Sequence, residues 1–261
     1  MRPFPPQAAL SSWLRGFVPR NTVARARLVC FPHAGGTAGA FRELAELLAP
    51  GIEVLAVQYP GRQDRFEDPF ISDFGELADL LAELLTPGLG RPPTAFLGHS
   101  MGATVAYEVA RRLRPRYPSP LTALFVSARK APDHITPMGL EFDDEEIRQL
   151  VDRLGGVGSE LLRHPDLWEL SAPILRNDFL MSERYRFTPG PPLACPLTVL
   201  VGDADDAFTE QDATHWSRHA LGPFAVHSFE GGHFYFEKNP EPLAQVLAQA
   251  LGQGTDQGSK P

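Results

Sequence analysis

The chain has 261 residues, of which 43% are hydrophobic, 21% charged and 10% aromatic. That is ordinary globular usage with material for a sizeable core, so wholesale disorder and fibrous architectures are excluded. The net charge of −8 lacks the basic excess by which a nucleic-acid binder holds phosphates. Cys30 and Cys195 lie in strand-like stretches with no CxxC and no metal-type spacing, so neither a disulfide framework nor a metal site is expected.

The N-terminal segment carries prolines at positions 3, 5 and 6 and no continuous apolar stretch, unlike a secretory signal. Trp13 and Phe17 are its expected anchors to the core. Short apolar, β-rich runs follow at Arg27 to Phe31, Glu53 to Tyr59, Thr94 to Leu97, Leu121 to Ser127 and Leu197 to Gly202. Such runs suit strands buried on both faces of a parallel sheet. Between and after them lie helical patterns at Phe41 to Leu48, Phe74 to Leu85, Ala103 to Leu113 and Pro242 to Leu251. This alternation predicts one α/β domain over residues 1–261 with a mostly parallel central sheet flanked by helices.

The alternation breaks at about residues 133–188, where no strand-like run occurs. Phe142, Ile147, Leu150, Val151 and Leu154 recur at helical spacing there, and Asp143 with Glu146 has the form of a capping box. A helical insertion at that point of an open α/β sheet is either extra packing or, the preferred reading, a lid over the strand ends where ligands bind. The polar segment 252–261 is expected to be a disordered tail. No apolar run approaches the roughly 18 residues of a membrane span. A cytoplasmic protein that touches neither membrane nor nucleic acid is expected.

The strongest local signal is Gly98-His99-Ser100-Met101-Gly102. An apolar run leads into it and a helical pattern leads out, the strand-turn-helix setting of a nucleophile elbow. A serine hydroxyl needs a base, and the base needs a carboxylate to orient it. In this fold the order is serine, acid, histidine. The run ending at Val201 is followed by Gly202-Asp203-Ala204-Asp205-Asp206, and a later strand-like run, Phe224 to Phe229, leads to Gly231-Gly232-His233. His233 is the expected base. Asp205, a few residues beyond the strand end, is the preferred acid; Asp206 is the runner-up, and Asp203 suits a turn cap better. Oxyanion donors are expected from the backbone N–H groups of Met101, at a helix start, and Ala34, in the glycine-rich Phe31 to Gly36 loop. His33 reads as loop scaffolding and His99 as packing beneath the nucleophile.

These residues resemble a known family, the type II thioesterases that accompany polyketide synthases and nonribosomal peptide synthetases, within the α/β-hydrolase superfamily. FPHAGG at 31–36, YPGRQDR at 59–65, LGHSMGA at 97–103, SARKAP at 127–132 and GGH at 231–233 are similar to its motifs, with DDEEIRQLVDRLGG at 143–156 and PILRNDF at 173–179 similar to its lid. YPGRQDR discriminates best, because GxSxG and GGH are shared widely among α/β-hydrolases. The resemblance assigns Ser100 as nucleophile, Asp205 as acid, His233 as base, and Ala34 and Met101 as oxyanion donors. Adjacent Asp205 and Asp206 depart from the family pattern of a single aspartate.

The resemblance further implies hydrolysis of aberrant or stalled acyl groups from the phosphopantetheine thiol of acyl carrier proteins. Such an enzyme is expected to meet its carriers transiently, and a monomer is the default expectation. No metal and no cofactor of the enzyme's own are implied. Phe142, Trp168 and Phe179 are expected to narrow an acyl chamber under the lid. Arg62 has two readings, a ligand for the phosphate of the thiol arm or a member of an Arg–Asp network with Asp64 that stiffens its loop. The alternatives to a thioesterase are a general carboxylesterase or lipase with the same triad, and a non-catalytic scaffold that binds a small molecule.

Overall fold

The apolar runs become the strands of one seven-stranded sheet in the computed structural model, which describes residues 12–18, 24–113, 119–156 and 162–252. Strands β1 (Leu14–Gly16), β2 (Ala26–Phe31) and β3 (Ile52–Val57) alternate with helix α1 (Arg42–Leu48), and α2 (Phe74–Leu85) leads to β4 (Thr94–His99). Helix α3 (Met101–Arg112), β5 (Leu124–Ser127), α4 (Asp144–Leu154) and α5 (Pro165–Arg184) follow. The chain then adds β6 (Leu197–Gly202), α6 (Glu210–Thr214), β7 (Phe224–Phe229), α7 (Tyr235–Lys238) and α8 (Glu241–Gly252). The spatial order is β1-β3-β2-β4-β5-β6-β7, with β1 antiparallel and every other pairing parallel.

The sheet separates two apolar layers because β2, β4 and β5 are buried on both faces. One layer gathers Val29, Phe96 and Val126 with α2 and α3; the other gathers Leu28, Leu97 and Phe125 with α1 and α8. Helix α2 shows how the sequence does this. Asp73 caps it by accepting the Glu76 N–H at 2.8 Å, and Phe74, Leu77, Ala78, Leu81 and Leu85 then fall on one buried stripe.

The insertion predicted at about 133–188 holds α4 and α5, whose apolar faces form a third cluster of their own. Asp143 and Glu146 do make a capping box at the start of α4. Several sequence readings need correction. The strand expected from Leu121 begins at Leu124, and the one expected to reach Tyr59 stops at Val57, ahead of Pro60 and Gly61. Strand β1 carries no sequence signal because three residues leave no measurable period; it follows Trp13, which is buried as expected of an anchor. Helices α6 and α7, of five and four residues, are likewise too short to show a 3.6-residue period. The predicted disordered tail, apart from Gly252, and the proline-rich residues 1–11 lie outside the described residues. Among the described residues no helix is long and apolar enough to cross a membrane.

Candidate active site

Parallel strands deliver their C-terminal ends to one edge of the sheet, and the register aligns Phe31 with Gly98 and His99 with Ser127. Ser100 follows β4 directly, with φ 53° and ψ −120°. This left-handed backbone is strained for a residue with a Cβ, and it lifts Oγ out of the path of the chain. The turn closes because its flanks lack side chains. A Cβ on Gly98 would collide with the backbone of Gly102, and one on Gly102 with the carbonyl of Phe31. The serine is anchored from below by its own N–H, which donates to the Ser127 carbonyl at 2.8 Å.

The three residues predicted as a triad come together. His233 Nε2 lies 3.0 Å from Ser100 Oγ, and His233 Nδ1 lies 2.8 Å from Asp205 Oδ2. His233 and Asp205 are each 6% exposed. The chemistry fixes the roles: Nδ1–H donates to the carboxylate, leaving the Nε2 lone pair to accept the serine proton. Asp205 Oδ1 accepts the Ala207 N–H at 2.9 Å, so both carboxylate oxygens are held. The two competing aspartates are elsewhere. Asp203 accepts the Gly231 N–H at 2.9 Å and ties the histidine loop to the end of β6, the turn role foreseen for it. Asp206 is exposed.

The two N–H groups expected as oxyanion donors flank Ser100 in different ways, Met101 following it in sequence and Ala34 lining the same cavity as the serine. Met101 is the first residue of the 12-residue helix α3, where backbone N–H groups have no intrahelical partner and the helix dipole favours negative charge. Ala34 is the second residue of a turn closed by Gly36 N–H donating to the His33 carbonyl at 3.0 Å, with Gly35 at φ 73°. The Ala34 N–H has no acceptor among the described residues.

A cavity of about 70 Å³ opens on Ser100 and is walled by Val151, Leu154, Leu175, Phe179 and Phe234. Of the three lid aromatics predicted to shape the acyl chamber, Phe179 lines this cavity; Phe142 and Trp168 do not. Phe142 is fully buried, stacked on Phe179 with centroids 5.6 Å apart, and Trp168 packs between the lid helices under the Arg148 guanidinium. Both serve the lid's own core, because two amphipathic helices that cover a cavity must also bury the faces they turn to each other. A larger cavity, about 720 Å³, lies beside α2 and α3 around Glu108, Arg111 and Tyr185 and includes no triad residue. Chemistry, rather than size, makes the cavity at Ser100 the candidate site. Among the described residues no group of three His, Cys, Asp or Glu side chains converges as a metal site would.

Arg62 also departs from expectation. It is 2% exposed, and its Nη1 and Nη2 donate to the two oxygens of Asp178 on α5 at 2.8 and 3.0 Å. A guanidinium so enclosed presents nothing to a ligand phosphate. The network reading holds with a different partner, since Asp64 pairs with Arg15 instead. Asp178 itself was missed in the sequence. Its signal was an acid at position 178 between Leu175 and Phe179, on the apolar face of a predicted helix.

Near the triad sit two further imidazoles, His99, fully buried, and His33, half-buried at the edge of the Ser100 cavity. His99 Nδ1 shares a 2.9 Å hydrogen bond with Ser127 Oγ, which is 2.9 Å from the Tyr235 hydroxyl. His33 packs edge-on against Phe234. Burial, then the nearby His233, holds His33 down to about 4 and His99 well below the ordinary value of 6.5. Both are therefore neutral scaffolding, and neither competes with His233 for the serine proton. In the unfolded chain both return to ordinary values, so below pH 6.5, and down to about pH 4 in the case of His33, the unfolded state binds protons that the native state refuses. The stability they allow is complete above pH 6.5 and is lost as pH falls, by up to ~1.4 kcal/mol per pH unit for each histidine. Urea unfolding between pH 7 and 4.5 should therefore show a falling midpoint, with a shallower fall in His33→Phe; an unchanged slope in that variant would contradict the assignment.

A thioesterase-domain family model matches residues 26–251. A probable cadicidin biosynthesis thioesterase of Streptomyces griseus is 41% identical over 240 residues, covering 92% of this chain, and this chain spans 66% of that protein's length. Thioesterase PikA5 of Streptomyces venezuelae is 40% identical over 241 residues, covering 92% of this chain and 85% of that protein. Among solved structures, the type II thioesterase BorB from the borrelidin biosynthetic cluster superposes with a TM-score of 0.82 at 39% identity, covering 92% of this chain and 98% of the other.

Proposed function

This chain belongs to the thioesterase family, and from that premise we propose that it is a type II thioesterase. It removes aberrant or stalled acyl groups from the phosphopantetheine thiol of acyl carrier proteins in polyketide or nonribosomal peptide assembly. The observation that carries this reading is the continuous relay from Ser100 through His233 to Asp205, at 3.0 and 2.8 Å, opening on an apolar cavity under the lid. The relatives named for biosynthetic thioesterases and the BorB superposition support it.

Ser100 Oγ adds to the thioester carbonyl carbon as its proton passes to His233 Nε2, and Asp205 stabilises the resulting imidazolium. The Ala34 and Met101 N–H groups hold the oxyanion of the tetrahedral intermediate. Collapse breaks the carbon–sulfur bond, and the departing thiolate takes the proton from His233. A thiol with an ordinary pKa near 8.5 leaves far more readily than an alkoxide, so little is asked of His233 as an acid. Water then attacks the acyl-serine by the reverse proton path and releases a free carboxylic acid. In this reading the triad works without metal or organic cofactor. The enzyme is a cytoplasmic monomer that meets many carrier proteins through weak, transient contacts.

The test loads a holo carrier protein with a short acyl group and follows deacylation by intact mass beside the matching oxoester. Carrier deacylation that outpaces ester cleavage is the expected result. Ester turnover without carrier deacylation would make the protein a carboxylesterase instead.

A further inference from the structure

One buried ion pair joins the lid to the loop that carries Ala34. Asp178 projects from α5 and is 1% exposed. Its Oδ2 accepts the Gly35 N–H at 2.8 Å in addition to the Arg62 guanidinium, and its Oδ1 also accepts from Asn177 Nδ2 at 3.2 Å. Arg62 then reaches across the turn, donating from Nη1 to the Gly36 carbonyl at 3.2 Å and from Nε to the Pro60 carbonyl at 3.3 Å. From the same helix, Leu175 packs so closely on Gly35 that a Cβ there would collide with it. The His33 to Gly36 turn is thus gripped on the peptide following Ala34 and on the carbonyl of Gly36, both through residues tied to α5.

We propose that Asp178 is a positioning residue for the oxyanion loop: acting through the Gly35 N–H and the Arg62 guanidinium, it fixes the turn so that the Ala34 N–H faces the carbonyl oxygen of the bound acyl group. The proposal rests on the reading of Ser100 as nucleophile and Ala34 as oxyanion donor. A turn closed by one backbone hydrogen bond and containing two successive glycines does not hold a donor to within the ~0.5 Å that preorganised catalysis demands. A carboxylate with four donors in a water-excluded setting does. A buried ion pair adds little net stability over an apolar pair of similar volume, so geometric constraint is the better account of its presence. Helix α5 is accordingly a wall of the catalytic site, and the lid is more than a cover.

Two charge-balanced variants separate positioning from folding. Arg62→Met with Asp178→Leu removes both charges and the Gly35 acceptor; Arg62→Met with Asp178→Asn removes both charges and keeps an acceptor. With acetyl-pantetheine as substrate, the leucine pair should lose about 10²-fold in kcat, with KM within about threefold of the parent. Its affinity for a trifluoromethyl ketone analogue, which places an oxyanion in the same hole, should weaken by a similar factor. The asparagine pair should recover at least about tenfold of the loss. A leucine pair within threefold of the parent kcat, or two pairs that lose equally, would overturn the proposal. Should either pair fail to fold, hydrogen exchange in the unmodified protein decides, since the Gly35 amide must exchange as slowly as core amides and exchange at loop rates overturns the idea. Failure of the underlying reading is distinguishable: Ser100→Ala retaining turnover refutes the serine mechanism however the pair variants behave.

Discussion

Replacing Ser100 with alanine should lower kcat for carrier-bound thioesters by at least ~10⁴-fold while leaving the fold untouched. The two halves of that expectation have separate physical grounds. Catalysis is lost because Oγ is the nucleophile placed 3.0 Å from His233 Nε2, and a water in its stead lacks the fixed approach that the elbow gives. The fold is kept because Oγ makes no other described hydrogen bond, whereas the anchoring N–H to the Ser127 carbonyl belongs to the backbone. Alanine bears the same Cβ as serine and suffers the same strain at φ 53°, so the melting temperature should stay within about 2 °C. Ser100→Gly gives the complementary result. It should be equally inactive yet more stable by about 1 kcal/mol, because glycine adopts that backbone region without a steric penalty. Intact-mass deacylation assays and thermal melts of the two variants check both halves, and a Ser100→Gly melt below the parent would show that the elbow stores no strain.

Much of this site is legible in the sequence because its constraints are local. The elbow needs glycines two residues either side of Ser100, a strand before and a helix after, and all three can be read from the twenty consecutive residues Thr94 to Leu113. His233 and Asp205 are legible for a related reason, since a parallel sheet brings the ends of β6 and β7 to the edge where β4 ends. What stays hidden is set by contacts between distant segments. The partner of Arg62 is 116 positions away on α5, and no periodicity within its own loop distinguishes Asp178 from the adjacent Asp64. The division of the lid aromatics is hidden similarly. Phe142, Trp168 and Phe179 share one apolar pattern, and only the crossing of α4 over α5 turns one ring toward Ser100 and two toward the lid's core. Short elements such as β1 are lost for want of length, although the buried Trp13 beside it is legible as an anchor.

The choice between the adjacent aspartates yields the second large effect: Asp205→Asn should lose about 10⁴-fold in kcat at neutral pH, and Asp206→Asn less than about twofold. The hydrogen bonds around Asp205 say why an amide cannot substitute. Oδ1 receives the Ala207 N–H, so an asparagine would keep its carbonyl oxygen there and turn its NH₂ toward His233 Nδ1. That group can only donate. His233 would then accept at Nδ1 and carry its proton on Nε2, where it faces Ser100 and cannot take up the serine proton. The ring would be held in place in the wrong tautomer, so KM should change little while kcat falls. Asp206, exposed and in no described hydrogen bond with His233, contributes only a surface charge. Steady-state kinetics of the two variants on one acyl-pantetheine substrate decide the matter. If Asp206→Asn fell and Asp205→Asn did not, the acid would have to reach His233 through a loop arrangement different from the one described, with the Ala207 N–H no longer bound to Asp205.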